Sequence, residues 1–204
     1  MVSLRIIAGE FRRRKIRTNP GKTTRPITDR MKESLFDRLG DVAGERVADV
    51  FAGTGTLGLE CLSRGSETAV FMEYDRKAFE LLRENVSGVG VGERGFCWRV
   101  DVCKTSFKPK GLPAHLPYSL IFFDPPYPIA TDLTDSHPLG ASLKRLARDG
   151  VTDPEAVMVL RTPNEHPLTL PTTWVEVDRL RISSSRISLC QKSESVGAKS
   201  AEHD

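Results

Sequence analysis

The sequence predicts an α/β fold, a mainly parallel sheet with helices on both faces, and three observations carry that expectation. Apolar runs at 46–51, 68–73, 95–100, 118–124 and 156–160 have strand length, and helical stretches at 56–64 and 76–87 separate the first three. Strands alternating with helices of this size build βαβ units. A glycine-rich loop follows the first run and an acid-proline turn follows the fourth, where open α/β sheets gather their ligands. Finally, 204 residues with 39% hydrophobic and 28% charged side chains suffice for one well-buried domain.

The chain opens with Leu4–Gly9 and Lys15–Arg17, two short strand candidates with Gly9 near the turn between them. A loop through Pro20-Gly21 follows. Thr28 then caps a helical run with Met31, Leu35, Phe36 and Leu39 on one face. Residues 1–32 hold ten lysines and arginines against two acids, a charge of +8, which leaves −5 on the remaining 172 residues. A basic segment on a mildly acidic body points to a polyanionic partner, with a solvated tail as the alternative. A segment that folds into a hairpin disfavours the tail.

In the second helical stretch Phe79, Leu82 and Val86 form one stripe, and near the end Trp174–Leu180 and Arg186–Leu189 have the look of an antiparallel hairpin. The expected organisation is a basic hairpin and loop at 1–24, a main domain at 25–191, and a polar, disordered tail at 192–204.

Several classes are excluded. The sequence has no apolar stretch of roughly 18 residues, and charge enters too early for a signal peptide, so a cytoplasmic protein away from membranes is expected. Cys61, Cys97, Cys103 and Cys190 form no C-x-x-C pair, and His115, His137, His166 and His203 share no ligand spacing with them. No metal is expected.

The loop after the first strand, Asp49-Val50-Phe51-Ala52-Gly53-Thr54-Gly55-Thr56-Leu57-Gly58, fits G-x-G-x-x-G. Such glycines let a ligand approach the backbone at a helix N-terminus. Asp49 would oppose a pyrophosphate there, yet suits the cationic ammonium of an amino-acid ligand such as S-adenosylmethionine. Glu73, 24 residues on at the end of the second strand, is placed to meet ribose hydroxyls. Asp101, after the third strand, is a candidate acceptor for an adenine amine. Against these roles stand plainer ones: Asp49 as a turn cap, Asp75 as a helix cap and Asp101 as a cap on the next turn. All three plain roles at once are not expected.

The strand Ser119–Phe123 runs into Asp124-Pro125-Pro126-Tyr127. Two prolines make that turn rigid and remove N–H groups, leaving acceptors beside one aromatic ring. The pattern suits a planar exocyclic amine. The Asp124 carboxylate and Pro125 carbonyl would hold its hydrogens, and Tyr127 would stack on the base. Positioning and electrostatics would supply the catalysis.

Together these residues resemble the bacterial small-subunit ribosomal RNA guanine-N2 methyltransferases of the RsmD type. The resemblance covers nearly the whole chain: Arg5–Gly9 as opening strand, Thr24–Phe36 as the characteristic helix entry, Asp49–Gly55 as cofactor loop, Leu57–Gly65 as the following helix, and Asp124–Tyr127 as catalytic turn. The helix entry is its most specific part. Ile27 stands where the family has threonine, and Arg179–Gln191 lacks its Tyr-Gly pattern. The resemblance implies a Rossmann-like class I S-adenosylmethionine-dependent methyltransferase acting on a guanine N2 in 16S ribosomal RNA, free or in a small-subunit assembly intermediate. The cofactor residues are then expected at Asp49, Phe51, Ala52, Gly53, Thr54, Gly55, Leu57, Glu73, Tyr74, Asp101 and Val102. The catalytic ones are Asp124, Pro125, Pro126 and Tyr127. A base inside RNA must leave its stack to reach a pocket, and Arg12, Arg13, Arg14, Lys15, Arg17, Arg25 and Arg30 are the candidates for holding flanking phosphates.

Other readings stay open on the residues alone. A DNA base or a protein glutamine also presents a planar amine. An NAD-dependent oxidoreductase would use the glycine loop but leaves Asp49 and the Asp124 turn without a task. A non-catalytic RNA-binding protein would not need that turn.

Overall fold

The computed structural model describes residues 4–18, 27–130, 133–134, 136–165 and 167–193, which form two compact units, Met1–Val100 and Asp101–Asp204.

The first unit begins with β1 (Leu4–Arg5) and β2 (Lys15–Ile16), paired antiparallel with Leu4 opposite Ile16. The strands are shorter than the sequence suggests, but Ile6 and Arg13 continue the pairing with bonds to Arg14 and back to Ile6. Helix α1 (Asp29–Leu39) starts where Thr28 accepts the Met31 N–H on its hydroxyl, as the sequence predicts, and buries Met31, Leu35 and Phe36. Lys32 is buried as well. Its ammonium donates to the Arg5 carbonyl and lies 3.5 Å from carboxylate oxygens of both Asp29 and Glu60. A buried charge is tolerated when paired and hydrogen-bonded in this way.

Three parallel strands follow: β3 (Arg46–Val50), β4 (Thr68–Glu73) and β5 (Gly95–Arg99), with β4 in the middle. The crossovers are α2 (Thr56–Ser63) and α3 (Arg76–Val89). Asp75 caps α3, which buries Leu82, Asn85, Val86 and Val89, while Phe79 of the expected stripe is half-buried. Helix α2 is buried along its length, and its polar residues Glu60 and Ser63 are buried with it, a state tolerated because both are hydrogen-bonded.

The basic hairpin is fastened to this unit. Glu60 on α2 accepts the Ile7 and Ala8 N–H groups and the Arg64 guanidinium. Ser63 accepts from Phe11 N–H and donates to the Ala8 carbonyl. A side chain at Gly9 would overlap the Ser63 backbone. The segment is therefore docked structure rather than a tail.

The second unit contains β6 (Tyr118–Phe123), α4 (Pro138–Leu146), β7 (Thr152–Pro163), β8 (Trp174–Ile182) and β9 (Ser185–Lys192). Strands β6 and β7 are parallel, β9 lies antiparallel beside β7, and β8 antiparallel beside β9. Parallel pairing thus dominates the early strands and an antiparallel hairpin ends the chain, as expected. Two boundaries differ. Strand β7 extends well beyond 156–160, because its polar and proline-containing start, Thr152–Glu155, carries no apolar signal. Lys192, expected in the tail, belongs to β9, and its buried ammonium donates to the Thr152 carbonyl at 2.9 Å. Ser193, also expected in the tail, bonds to the Thr172 and Thr173 carbonyls, and 194–204 lie outside the described residues. Helix α4 is an addition, since nine residues give too short a stripe to stand out.

Candidate functional site

In the first unit, the chain leaves β3 through Phe51, whose φ of +64° is a costly conformation for a bulky side chain. Ala52 N–H bonds to the Met72 carbonyl at 2.9 Å, and Gly55 N–H closes a turn on the Ala52 carbonyl at 2.8 Å. Gly55, at φ +81°, then caps α2. Thr54 is held at its carbonyl by the Asn85 amide at 3.0 Å, and Leu57 is buried in the first turn of α2.

The three glycines have different tasks. A Cβ on Gly55 would come within 2.6 Å of Leu82, and one on Gly58 would overlap the Phe71 ring. Both are required by packing. At Gly53, φ +55°, nothing lies within 4 Å of the added atom, so this is the loop residue whose surface stays open.

Three acids occupy positions that suit plain capping roles: Asp49 near the end of β3, and Asp75 and Asp101 after β4 and β5. Asp49 is buried, and its Oδ2 accepts the Gly58 N–H at 2.9 Å. Asp75 accepts the Ala78 N–H, and Asp101, at the start of the second unit, accepts the Cys103 N–H. All three plain capping roles are therefore filled together, against expectation, because each acid meets a helix or turn start whose N–H groups need acceptors. Val102, also in the second unit, is buried with its carbonyl bonded to Ser142 and Arg145.

Glu73 ends β4. Its Oε2 accepts from Gly53 N–H at 2.9 Å and its Oε1 from Asp75 N–H at 2.8 Å. Burial pushes this carboxyl above its ordinary pKa, partly countered by those backbone bonds. Each oxygen keeps a lone pair for a hydroxyl. Tyr74 beside it is 65% exposed, an unusual state for an aromatic ring. A carboxylate for a diol, an open glycine and an exposed aromatic ring form a donor set that fits a nucleoside such as that of S-adenosylmethionine.

In the second unit, Asp124 follows β6. The Arg161 guanidinium grips it with both arms, Nε to Oδ1 and Nη2 to Oδ2, each at 2.7 Å. Burial pushes the Asp124 carboxyl up, and Arg161 pulls it back down. Pro125 is buried, and Pro126 starts a helical turn, Tyr127–Ile129, by accepting the Ile129 N–H. Tyr127 shares a 2.6 Å hydrogen bond with Ser185, and its ring centre lies 5.9 Å from the Arg161 guanidinium carbon. The rigid turn is present, but its acceptors are not free of donors.

Sequence reasoning missed Arg161 and Ser185. The signal for Arg161 was a lone arginine directly after the apolar run 156–160; Ser185 gave none.

The basic candidates divide in two. Arg14 donates to the Gly88 and Val89 carbonyls at the end of α3, and Arg17 pairs with Glu84. Arg12, Arg13, Lys15 and Arg30 are exposed, and their side chains bond to none of the described residues. Arg25 lies outside the described residues. Among those described, no His, Cys, Asp and Glu group could hold a metal, the four cysteines are free, and no helix is long and apolar enough to cross a membrane.

Comparison with known proteins adds to this geometry. The family model described as "Conserved hypothetical protein 95" matches residues 4–191. "Ribosomal RNA small subunit methyltransferase D" of Escherichia coli K12 is 32% identical over 174 residues, 84% of this chain and 81% of that one. The solved structure of yhhF from Escherichia coli superposes with a TM-score of 0.74 at 28% identity, covering 94% of this chain and 98% of that one. The rRNA methyltransferase aviRa from Streptomyces viridochromogenes shares the fold alone, with a TM-score of 0.59 at 18% identity over 90% of this chain and 91% of that one.

Proposed function

The chain belongs to the family described as conserved hypothetical protein 95, and from that premise we propose that it is the enzyme its curated relative is named for, a small-subunit ribosomal RNA methyltransferase. It uses S-adenosylmethionine and acts on the N2 amine of a guanine in 16S ribosomal RNA. When bound, the cofactor supplies an electrophilic methyl group carried on a sulfonium.

The chain's own residues divide the work. Glu73 accepts ribose hydroxyls, Gly53 leaves room for the ligand against the backbone, and Tyr74 offers its ring. Phe51, Ala52, Thr54, Gly55 and Leu57 shape the loop. Asp49 accepts the Gly58 N–H and brings a negative charge to the loop, which suits a cationic group. Asp101 and Val102 complete the reading on the adenine side.

The methyl acceptor falls to the turn after β6. An aromatic amine is a poor nucleophile because its lone pair is delocalised into the ring. Asp124 and the Pro125 carbonyl, by accepting its hydrogens, would take that lone pair out of conjugation with the ring, while Tyr127 stacks on the base. The nitrogen can then bond the methyl carbon as the carbon–sulfur bond breaks to leave a neutral thioether. The surplus amine proton would leave by way of the Asp124 carboxylate to water. The single observation that carries the reading is this turn, with its carboxylate held in place at the end of a parallel strand.

RNA is held by the basic segment 1–24, whose described residues 4–18 are docked on the first unit, together with Arg25 and Arg30 from the adjoining stretch. Arg12, Arg13, Lys15 and Arg30 reach phosphates directly, and Arg14 and Arg17 hold the hairpin to α3 while adding to its field. The methyltransferase body is 25–191, the place of action the cytoplasm, and the substrate a small-subunit assembly intermediate. The oxidoreductase alternative leaves the Asp124 turn without a task and is not carried further.

The test is to map modified guanines in 16S ribosomal RNA from cells with and without the gene, then to repeat the reaction with purified protein. One N2-methylguanine should depend on the gene and return on incubation with enzyme and S-adenosylmethionine. Asp124→Ala should lose transfer yet bind cofactor. Wild-type rates in Asp124→Ala would reduce the turn to structure.

A further inference from the structure

The carboxylate of the turn after β6 is gripped by a residue that no motif announces. Phe123 is the register partner of Leu160 in the parallel β6–β7 ladder, so Arg161 arrives one residue further on, at the strand end where Asp124 begins the turn. Both arms of the guanidinium bond, one to each oxygen at 2.7 Å, and both side chains are largely buried. The same guanidinium faces the Tyr127 ring.

We propose that Arg161 is a positioning residue for methyl transfer: it holds Asp124 in one orientation as an ionised acceptor without a proton to donate. This rests on the proposed function and deepens it. A carboxylate has about four lone-pair sites, two on each oxygen. The guanidinium fork occupies one on each oxygen and leaves a matching pair. That pair suits two donors side by side, such as an exocyclic amine and the adjoining ring N–H that guanine presents. Adenine and cytosine place a ring acceptor beside their amine, and an ionised carboxylate repels it. A protonated Asp124 would instead turn a donor toward guanine's donors.

Burial favours that unwanted neutral form, and the guanidinium opposes it. Among the described residues of this unit no second cation takes over. Arg186 on β9, register partner of Thr162, turns to Glu176 and Ser188. Tyr127 is engaged with Ser185.

A buried ion pair that merely stabilised the sheet end would have the same geometry, so the test must read the reaction. Wild type, Arg161→Lys, Arg161→Met and Asp124→Ala are compared for kcat and KM on small-subunit ribosomal RNA from acid to alkaline pH, with cofactor affinity measured by calorimetry. Arg161→Met should lower kcat at neutral pH by about 100-fold or more, the scale of losing one preorganised electrostatic contact. Its activity should partly recover as rising pH ionises the unpaired Asp124, moving the acid limb of the profile upward. Arg161→Lys keeps the charge but loses the fork, so its limb should stay in place with an intermediate kcat. Cofactor affinity should hold in all variants.

Equal loss at every pH in Arg161→Met, or no loss at all, overturns the proposal. If Arg161→Met does not fold, a wild-type kcat and KM in Arg161→Lys overturns it equally. Failure of the wild type to methylate, or full activity in Asp124→Ala, would strike the methyl-transfer reading instead, and is separately visible.

Discussion

The loop after β3 and the turn after β6 each follow a parallel strand that carries a carboxylate to its end, and the two carboxylates are held by different means. Asp49 takes a backbone N–H from Gly58, nine residues along the same loop and helix. Glu73, which serves the same loop, takes two more backbone N–H groups. Asp124 takes a side-chain fork from a strand 37 residues away, and Tyr127 a hydroxyl 58 residues away. The first arrangement depends on local chain shape, the second on sheet register and on a charge. Substitutions should therefore fail differently at the two places.

Backbone shape is broken most directly at Gly58, and this carries the largest effect on stability. A Cβ there would overlap the buried Phe71 ring and stand 3.1 Å from Asp49 Oδ2. Gly58→Ala should cost about 1–3 kcal/mol, the usual range for overpacking, and should disturb the Asp49 bond. Gly53→Ala meets open space, so its cost is limited to the positive φ, about 1–2 kcal/mol. Urea unfolding of both variants reads the difference; equal and negligible losses would show that the loop is not set by packing.

Glu73 sharpens the same side of the comparison. Glu73→Gln keeps an acceptor for Gly53 N–H while removing charge, so the loop should survive and cofactor affinity should fall roughly tenfold, about 1.4 kcal/mol. The wild type should show a pH dependence that the variant lacks. Burial raises the Glu73 pKa, so its charge is lost at a higher pH than usual. Affinity should then be full above that pKa and decline as pH falls through it. Calorimetry over a pH series decides the point, and parallel curves for the two proteins would remove Glu73 from the ribose.

The same contrast explains what the sequence discloses. The cofactor loop is legible because glycines and apolar runs are local signals, and strands β3 to β6 fall close to their apolar runs. Arg161 is not legible as a partner of Asp124, because pairing across β6–β7 follows from register, which no short pattern encodes. Lys32 shows the same limit. It counts as one of ten basic charges, yet it lies on the face of α1 shared with Leu35 and Phe36, and Glu60 neutralises it from another helix. Periodicity places a residue on a face, whereas only the assembled unit supplies its counter-charge. The Asp124–Tyr127 motif is readable, but what keeps it in place is not.

The smallest expected effect tests how far that long-range support extends. Ser185 begins β9 opposite Pro163 and meets the Tyr127 hydroxyl at 2.6 Å, a second tie between the turn and the strands beyond it. Unlike Arg161, it carries no charge. Removing a neutral hydrogen bond costs about 0.5–1.5 kcal/mol, so Ser185→Ala should lower stability by that much. It should lower methyl transfer a few-fold, through looser placement of the Tyr127 ring, and leave the acid limb of the pH profile where it is. Tyr127→Phe removes the other half of the same bond and should give a similar loss, with the double variant no worse than either single one. Additive losses would mean that the two hydroxyls act separately. A shifted acid limb in Ser185→Ala would mean that Ser185 reaches Asp124 as well, and that charge and register are not separable in this turn.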